Sequence, residues 1–250
     1  MSRQTRRDAR IENDSGGFSV VPWSALDRII EDDRTDDVAI VTAHQAMLLM
    51  LHGDDSFPAR LVVDAALNAD EAAEWLACAT WRLAIPCGRV LLAGGFDPTA
   101  FDAFREGEEW GRRCVAEFDV SPGDYRVDIY THRATISGRF LDGIWPNPLG
   151  AWFRREHPGR PFPGWMGREL ELSPELDPGH ESEWRDPMKA GRLASDETRD
   201  EVIGYLVHLT PWLPRTELSA LPADGWFEPE TGQRVPARCP LGLIADVPPE

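Results

Sequence analysis

The sequence predicts a mainly β protein, a β-sandwich or curled antiparallel sheet with one or two short helices and an irregular Trp- and Pro-rich C-terminal part. Three observations predict it. Several short segments alternate apolar and polar residues with a period of two, and turn residues separate them. A chain of 250 residues that is 42% hydrophobic has enough apolar material for a packed core. The expected division is a flexible arm over 1–16, a sandwich domain over 17–141 and an irregular extension over 142–250 that packs on the sheet and adds at least one strand.

Along the chain, residues 1–16 are polar and end in Gly16-Gly17. Trp23, Leu26, Ile29 and Ile30 follow Pro22 at helical spacing, which predicts a short amphipathic helix. Val38–Leu51 divides between a β-branched first half and a Leu- and Met-rich second half, so its propensity is split between strand and helix, with His44 read as lying in an apolar strand. Arg60–Leu67 is a strand with Asp64 inside it, and Asn68 or Asp70 caps a helix after it. Trp81, Leu83 and Ile85 alternate up to Pro86, Cys87-Gly88 turns the chain, and Arg89–Ala93 returns as the next strand. A surface helix over 97–113 begins near Asp97-Pro98. Val115–Val120 and Asp124–Tyr130, joined by Ser121-Pro122-Gly123, read as a hairpin with Tyr125, Val127 and Ile129 on one face and Arg126, Asp128 and Tyr130 on the other. Thr135–Leu141 is a candidate extension of the sheet, 143–187 is rich in Pro, Gly and Trp, and Ile203–Leu209 reads as one more buried strand.

Charge narrows the function. The formal net charge is −17, which argues against a surface that condenses on nucleic-acid phosphates. No apolar run reaches the roughly 18–20 residues of a membrane span, and Met1–Arg10 leads into a polar stretch unlike a signal peptide, so the expected address is the cytoplasm. Cys78, Cys87, Cys114 and Cys239 show no Cys-x-x-Cys spacing and are expected to be reduced thiols, mostly filling the core.

Motifs with a mechanism in their spacing are missing: no phosphate loop, no Gly-x-Ser-x-Gly elbow and no His-Glu-x-x-His. Asp177, His180, Glu181 and Glu183 could approach a divalent ion if their loop folds back, yet a solvated acidic loop explains them as well. His44 and His208 fit hydrogen-bonded core positions, and Asp64 fits the polar side of a sheet. No catalytic residue, metal or cofactor is therefore expected.

Acidic clusters remain. Glu31–Asp37, Asp54-Asp55 and the stretch from Glu169 to Asp186 could form negative surface complementary to a basic protein. The candidate contacts are Asp54, Asp55, Glu175, Asp177, Glu181 and Glu183. A different class of function, a small-ligand binder or enzyme, would use a cleft between the sheet and the extension, lined by Trp145, Trp152 and Trp165 with His157 or His180 beside it.

From Val38 to Tyr130 the order of segments resembles the competence protein J family, inhibitors of a DNA-entry nuclease. The likeness is carried by His44-Gln45, Leu67-Asn68 with its acidic follow-on, Ile85-Pro86, the Gly-turn strand at Val90, Phe118-Asp119-Val120 and Pro122-Gly123-Asp124-Tyr125. It implies a non-catalytic β-sheet protein that binds and silences a nuclease, or an immunity protein built on the same plan. The expected partner is accordingly a basic nuclease or toxin domain, with no direct contact to nucleic acid or membrane.

Overall fold

The computed structural model describes residues 5–13, 15–31, 36–51, 57–132, 159, 203–229 and 231–234. Among the described residues ten strands form two five-stranded sheets, so the mainly β class is as expected. The strands are β1 (Thr5–Ile11), β2 (Gly17–Pro22), β3 (Met47–Met50), β4 (Phe57–Val63), β5 (Ala77–Ile85), β6 (Arg89–Gly94), β7 (Val115–Asp119), β8 (Gly123–Thr131), β9 (Tyr205–Pro211) and β10 (Trp226–Phe227). Sheet A has the order β1-β4-β9-β8-β5 and sheet B the order β10-β3-β2-β6-β7. Both are mixed: β4–β9 and β10–β3 pair parallel, the other neighbours antiparallel.

One apolar core joins the sheets, with Phe18, Val20 and Leu92 from sheet B meeting Leu61, Val127 and Val207 from sheet A. Strand β2 is buried at all six positions, so sheet B is covered on both faces. A one-turn 3-10 helix (Trp23–Ala25), α1 (Leu26–Glu31), α4 (Pro98–Glu106) and α5 (Glu109–Cys114) supply apolar side chains on that side, including Leu26, Ile29 and Phe101. The remaining helices are α2 (Asp37–Thr42) and α3 (Ala69–Glu74).

Local signals explain where these helices start. The Asp36 carboxylate accepts the Val38 N–H at 3.0 Å, and Asp97 accepts the Thr99 N–H at 2.8 Å. Asn68 and Glu71 form a reciprocal capping box, with both bonds at 2.8 Å. The expected helix over 97–113 is divided by Gly107, which takes φ +80° as the C-cap of α4.

Several expectations change. Thr5–Ile11, expected within a flexible arm, pairs with β4 along its whole length. Its charged residues suit a sheet edge: Arg6 is held by Glu71, and Asp8 is held by Arg60 of β4. In 38–51 the β-branched half is helical and the Leu/Met half is β3, because the Asp36 cap and the packing of Ile40 and Val41 outweigh intrinsic preference. The Pro122-Gly123 hairpin is not formed. Strand β7 pairs with β6 in sheet B, whereas β8 pairs with β5 and β9 in sheet A, so the turn is a crossing between sheets. The Cys87-Gly88 turn crosses likewise, from β5 to β6, with Gly88 at φ +71°. The strand expected at 203–209 is β9, which lies at the centre of sheet A. Thr135–Leu141 lies outside the described residues.

The β5 edge of sheet A is closed by irregular chain. Cys78 N–H donates to Thr231 O and Ala84 N–H to His44 O, each at 2.9 Å. Thr80 exchanges bonds with Ser219, through Ser219 Oγ at 2.9 Å and Ser219 N–H at 3.0 Å. A strand edge satisfied in this way offers few free groups to an added strand.

Candidate functional site

All six candidate contact residues, Asp54, Asp55, Glu175, Asp177, Glu181 and Glu183, lie outside the described residues, as do His157, His180, Trp145, Trp152, Trp165 and Cys239. What the structure supplies is the set of anchors from which those segments depart. The Asp54-Asp55 segment ends where β4 begins at Phe57. The segment that carries Glu175 to Glu183 leaves after His132 and returns at Ile203. These points adjoin. Thr131 is the ladder partner of Tyr205, His132 N–H donates to Gly204 O at 3.2 Å, and Gly204 N–H donates to Pro58 O at 2.9 Å. Phe57 and Tyr205 meet edge to face at 4.9 Å, and Phe18 lies 5.2 Å from each ring. The rings hold this end of sheet A together by burying aromatic surface. Two acidic segments far apart in sequence are thus rooted side by side.

Near these roots, α3 packs on the outer face of sheet A. Its Glu71, 1% exposed, accepts Arg6 Nε at 3.0 Å and Nη2 at 2.7 Å, Arg60 Nη1 at 3.0 Å and its capping bond from Asn68 N–H. Arg60 also grips Asp8 with two bonds of 2.7 and 2.8 Å. Burial pushes the Glu71 carboxyl up, but the bonds from Arg6, Asn68 and Arg60 together hold it below its ordinary value. His132 is fully buried, and that burial lowers its pKa to about 4 against the opposing pull of Glu71. It is therefore neutral at pH 7. Arg234 clamps the far end of α3: its guanidinium stacks 3.4 Å over Trp75, donates to Trp75 O at 2.9 Å and to Ala72 O at 2.5 Å.

The opposite end of sheet A has different chemistry. Arg82 and Arg126 are direct cross-strand partners on β5 and β8. Arg126 Nε donates to the buried Asp128 carboxylate at 2.9 Å, which also accepts Thr80 Oγ1 at 2.6 Å. Arg82 Nη2 donates to Asp124 Oδ2 at 2.7 Å, and the guanidinium lies 5.4 Å from the Trp212 ring. His44 sits in the turn between α2 and β3 at φ +59°, not within a strand, with its ring 6.0 Å from Trp81. Burial first, and Arg82 second, lower its pKa. Arg82 Nε and His44 Nδ1 are buried without hydrogen-bond partners. Such groups typically cost about 1–3 kcal/mol each.

The other residues singled out from the sequence hold structural places. His208 Nε2 meets Ala65 O at 2.9 Å. Asp64 stands just past β4 at φ +50°, with its N–H on Leu209 O at 3.0 Å. Cys78, Cys87 and Cys114 are free thiols, and burial pushes Cys78 up to about 12, so it stays protonated and unreactive at neutral pH. Among the described residues no His/Cys/Asp/Glu group could hold a metal ion, and no helix is long and apolar enough to cross a membrane. Sequence reading missed Glu71, Asp128, His132 and Arg82. Only Glu71 had a usable local signal, three residues after the Asn68 cap.

No family profile matches the chain, and no curated protein does. Among solved structures it is similar to one titled "Crocagin biosynthetic gene J", at 15% identity and a TM-score of 0.42, over 85% of this chain and 99% of that one. It is also similar to ComJ from Bacillus subtilis, an inhibitor of the DNA degrading activity of NucA, at 12% identity and a TM-score of 0.34, over 54% of this chain and 86% of that one.

Proposed function

We propose that this chain is a non-catalytic acidic binding protein that occludes a basic protein partner of the nuclease or toxin-domain class. The observation that carries the reading is the shared root of the two acidic segments, sealed by the Gly204 N–H bond to Pro58 O at 2.9 Å. The common origin of the two segments supports their acting together on one partner, as tethering does for any pair of contacts. The charge balance works in the same direction. Arg6, Arg60, Arg82, Arg89, Arg105, Arg113 and Arg126 are each engaged by a carboxylate of the fold, so these cations present little free positive charge in a chain of net charge −17. A basic partner would be drawn in by the remaining negative field and then blocked by contact. The three free thiols suit a reducing compartment, and the reading includes a cytoplasmic site of action.

The test is complex formation with a candidate basic nuclease or toxin domain, measured together with that protein's nuclease activity. A stoichiometric complex is expected, with loss of DNA cleavage. Its association rate should fall roughly tenfold or more as added salt shortens the screening length below about 8 Å. Reversal of Asp54 and Asp55 to Arg, or of Glu175, Asp177, Glu181 and Glu183 to Arg, should weaken capture by slowing association. A complex indifferent to salt and to both sets of reversals, or no complex at all, overturns the reading.

A further inference from the structure

The end of sheet A away from the acidic roots brings together features that local folding does not require. Arg82 and Arg126 face each other across the β5–β8 ladder, an arrangement of like charges that normally disfavours pairing. Arg126 is answered by Asp128, but Arg82 is answered only in part. Asp124 takes Nη2 through one oxygen, while Nε, the other donor on that edge of the guanidinium fork, has no partner. His44 Nδ1 is the second unpartnered buried nitrogen, and Arg82 and Asp124 are the charged groups that act on its ring. The backbone that carries the imidazole is held in place. His44 occupies a left-handed backbone conformation, its carbonyl accepts Ala84 N–H at 2.9 Å, and its own N–H donates to Val41 O at 2.9 Å. The Trp212 ring lies 5.4 Å from the guanidinium, and its backbone N–H donates to Asp124 O at 2.9 Å.

We propose that this corner binds an oxyanion, the carboxylate or phosphate group of a ligand, which takes both Nε and Nη2 of Arg82 in place of Asp124 and accepts a further bond from His44 Nδ1–H. The planar fork of arginine is made for two parallel bonds to such a group, and Asp124 uses only one of them. Exchange takes place at the surface, since the Arg82 and Asp124 side chains are 33% and 43% exposed. An ion pair that exposed contributes little, so displacing Asp124 costs little. A neutral imidazole can carry its proton on Nδ1 and so present a donor. Arg126 adds a second cation one strand away. This site lies at the other end of β8 from the acidic roots and takes a ligand of the opposite sign, so it stands independently of the proposed function.

The experiment titrates the full chain with sodium acetate and, separately, sodium phosphate. Sodium chloride keeps the ionic strength constant, and the Arg82 Nε–H and Trp212 indole N–H signals are followed by NMR. Saturable shifts with acetate alone identify a carboxylate ligand, and with phosphate alone or more tightly, a phosphate ligand. Arg82→Gln should weaken binding roughly tenfold or more, the scale of a lost charge-assisted bidentate contact. His44→Asn, which tolerates the left-handed backbone, should weaken it less, and Asp124→Asn should tighten it by removing the internal competitor. The proposal is overturned if neither anion gives a saturable shift in the unmodified chain, or if a folded Arg82→Gln variant responds as strongly. Should Arg82→Gln fail to fold, an Asp124→Asn variant that binds no more tightly overturns it equally.

Discussion

The two sheets solve different problems. Sheet B is apolar on both faces: β2 is buried throughout, and β6 is buried at five of its six positions. Sheet A is apolar toward sheet B, and its other face combines a small apolar cluster around Val62, Ile203 and Leu206 with Arg60, Arg82, Arg126, Asp128, Tyr130 and His208. Dispersion and water exclusion hold sheet B, while sheet A adds paired charges that must be satisfied individually. The difference makes sheet B the apolar scaffold and gives sheet A the buried and half-buried ion pairs. It also predicts that substitutions in the two sheets respond differently to pH.

The comparison breaks first at Phe18. Fully buried on β2, its ring touches Phe57 and Tyr205 at 5.2 Å. Phe18→Ala should lower unfolding free energy by about 3–5 kcal/mol in urea titration, with little change between pH 7 and 5 in the size of that loss. A loss below about 1 kcal/mol would mean that sheet B does not carry the core.

Sheet A should instead respond to acid. His132 has an ordinary value of 6.5 and a folded value of about 4, so between those values the unfolded chain binds more protons. Stability that is complete above pH 6.5 therefore falls as the pH drops toward 4, by on the order of 3 kcal/mol. His132→Gln should flatten that slope in pH-dependent unfolding, and an unchanged slope would locate the proton uptake elsewhere. Glu71 acts lower on the scale. Its folded pKa is depressed below 4.5, so its contribution is present above that value and is lost on further acidification. Glu71→Gln keeps an acceptor for the capping box but removes the charge facing Arg6 and Arg60, and should cost about 1–3 kcal/mol at pH 7. The deficit of this variant should shrink progressively as the pH falls below 4.5 and the native carboxyl, with its depressed pKa, takes up its proton.

These contrasts were partly visible in the chain itself. The alternation of Tyr125, Val127 and Ile129 with Arg126, Asp128 and Tyr130 gives the two faces of β8 correctly, and Tyr125, Val127 and Ile129 are all buried. Caps at Asn68 and Asp97 were legible because they depend on residues two or three positions away. Sheet membership was not. Alternation says that a strand has an inner face, but β7 and β8, joined by three residues, enter opposite sheets through contacts made with β6 and β9. The environments of the buried His132 and Asp128 and of the half-buried Arg82 were invisible for the same reason, since each owes its surroundings to residues from several elements. Adjacency of the acidic roots depends on β4 and β9 pairing in parallel across more than 140 residues of sequence, a long-range fact that no local pattern encodes.

The smallest expected effect tests the scaffold side at its surface. Arg89 on β6 donates to Glu117 on β7 at 3.1 Å, with side chains 39% and 32% exposed, and its guanidinium lies 3.9 Å from the centre of the Trp23 ring. Water screens the ion pair, so Glu117→Gln should change stability by less than about 0.5 kcal/mol. The stacked contact is better shielded and depends on a planar cation, so Arg89→Lys should cost more, about 0.5–1 kcal/mol. Urea unfolding of the two variants separates the terms. If Glu117→Gln proves the more damaging, then charge pairing supports sheet B after all, and the division of labour between the sheets fails at its edge.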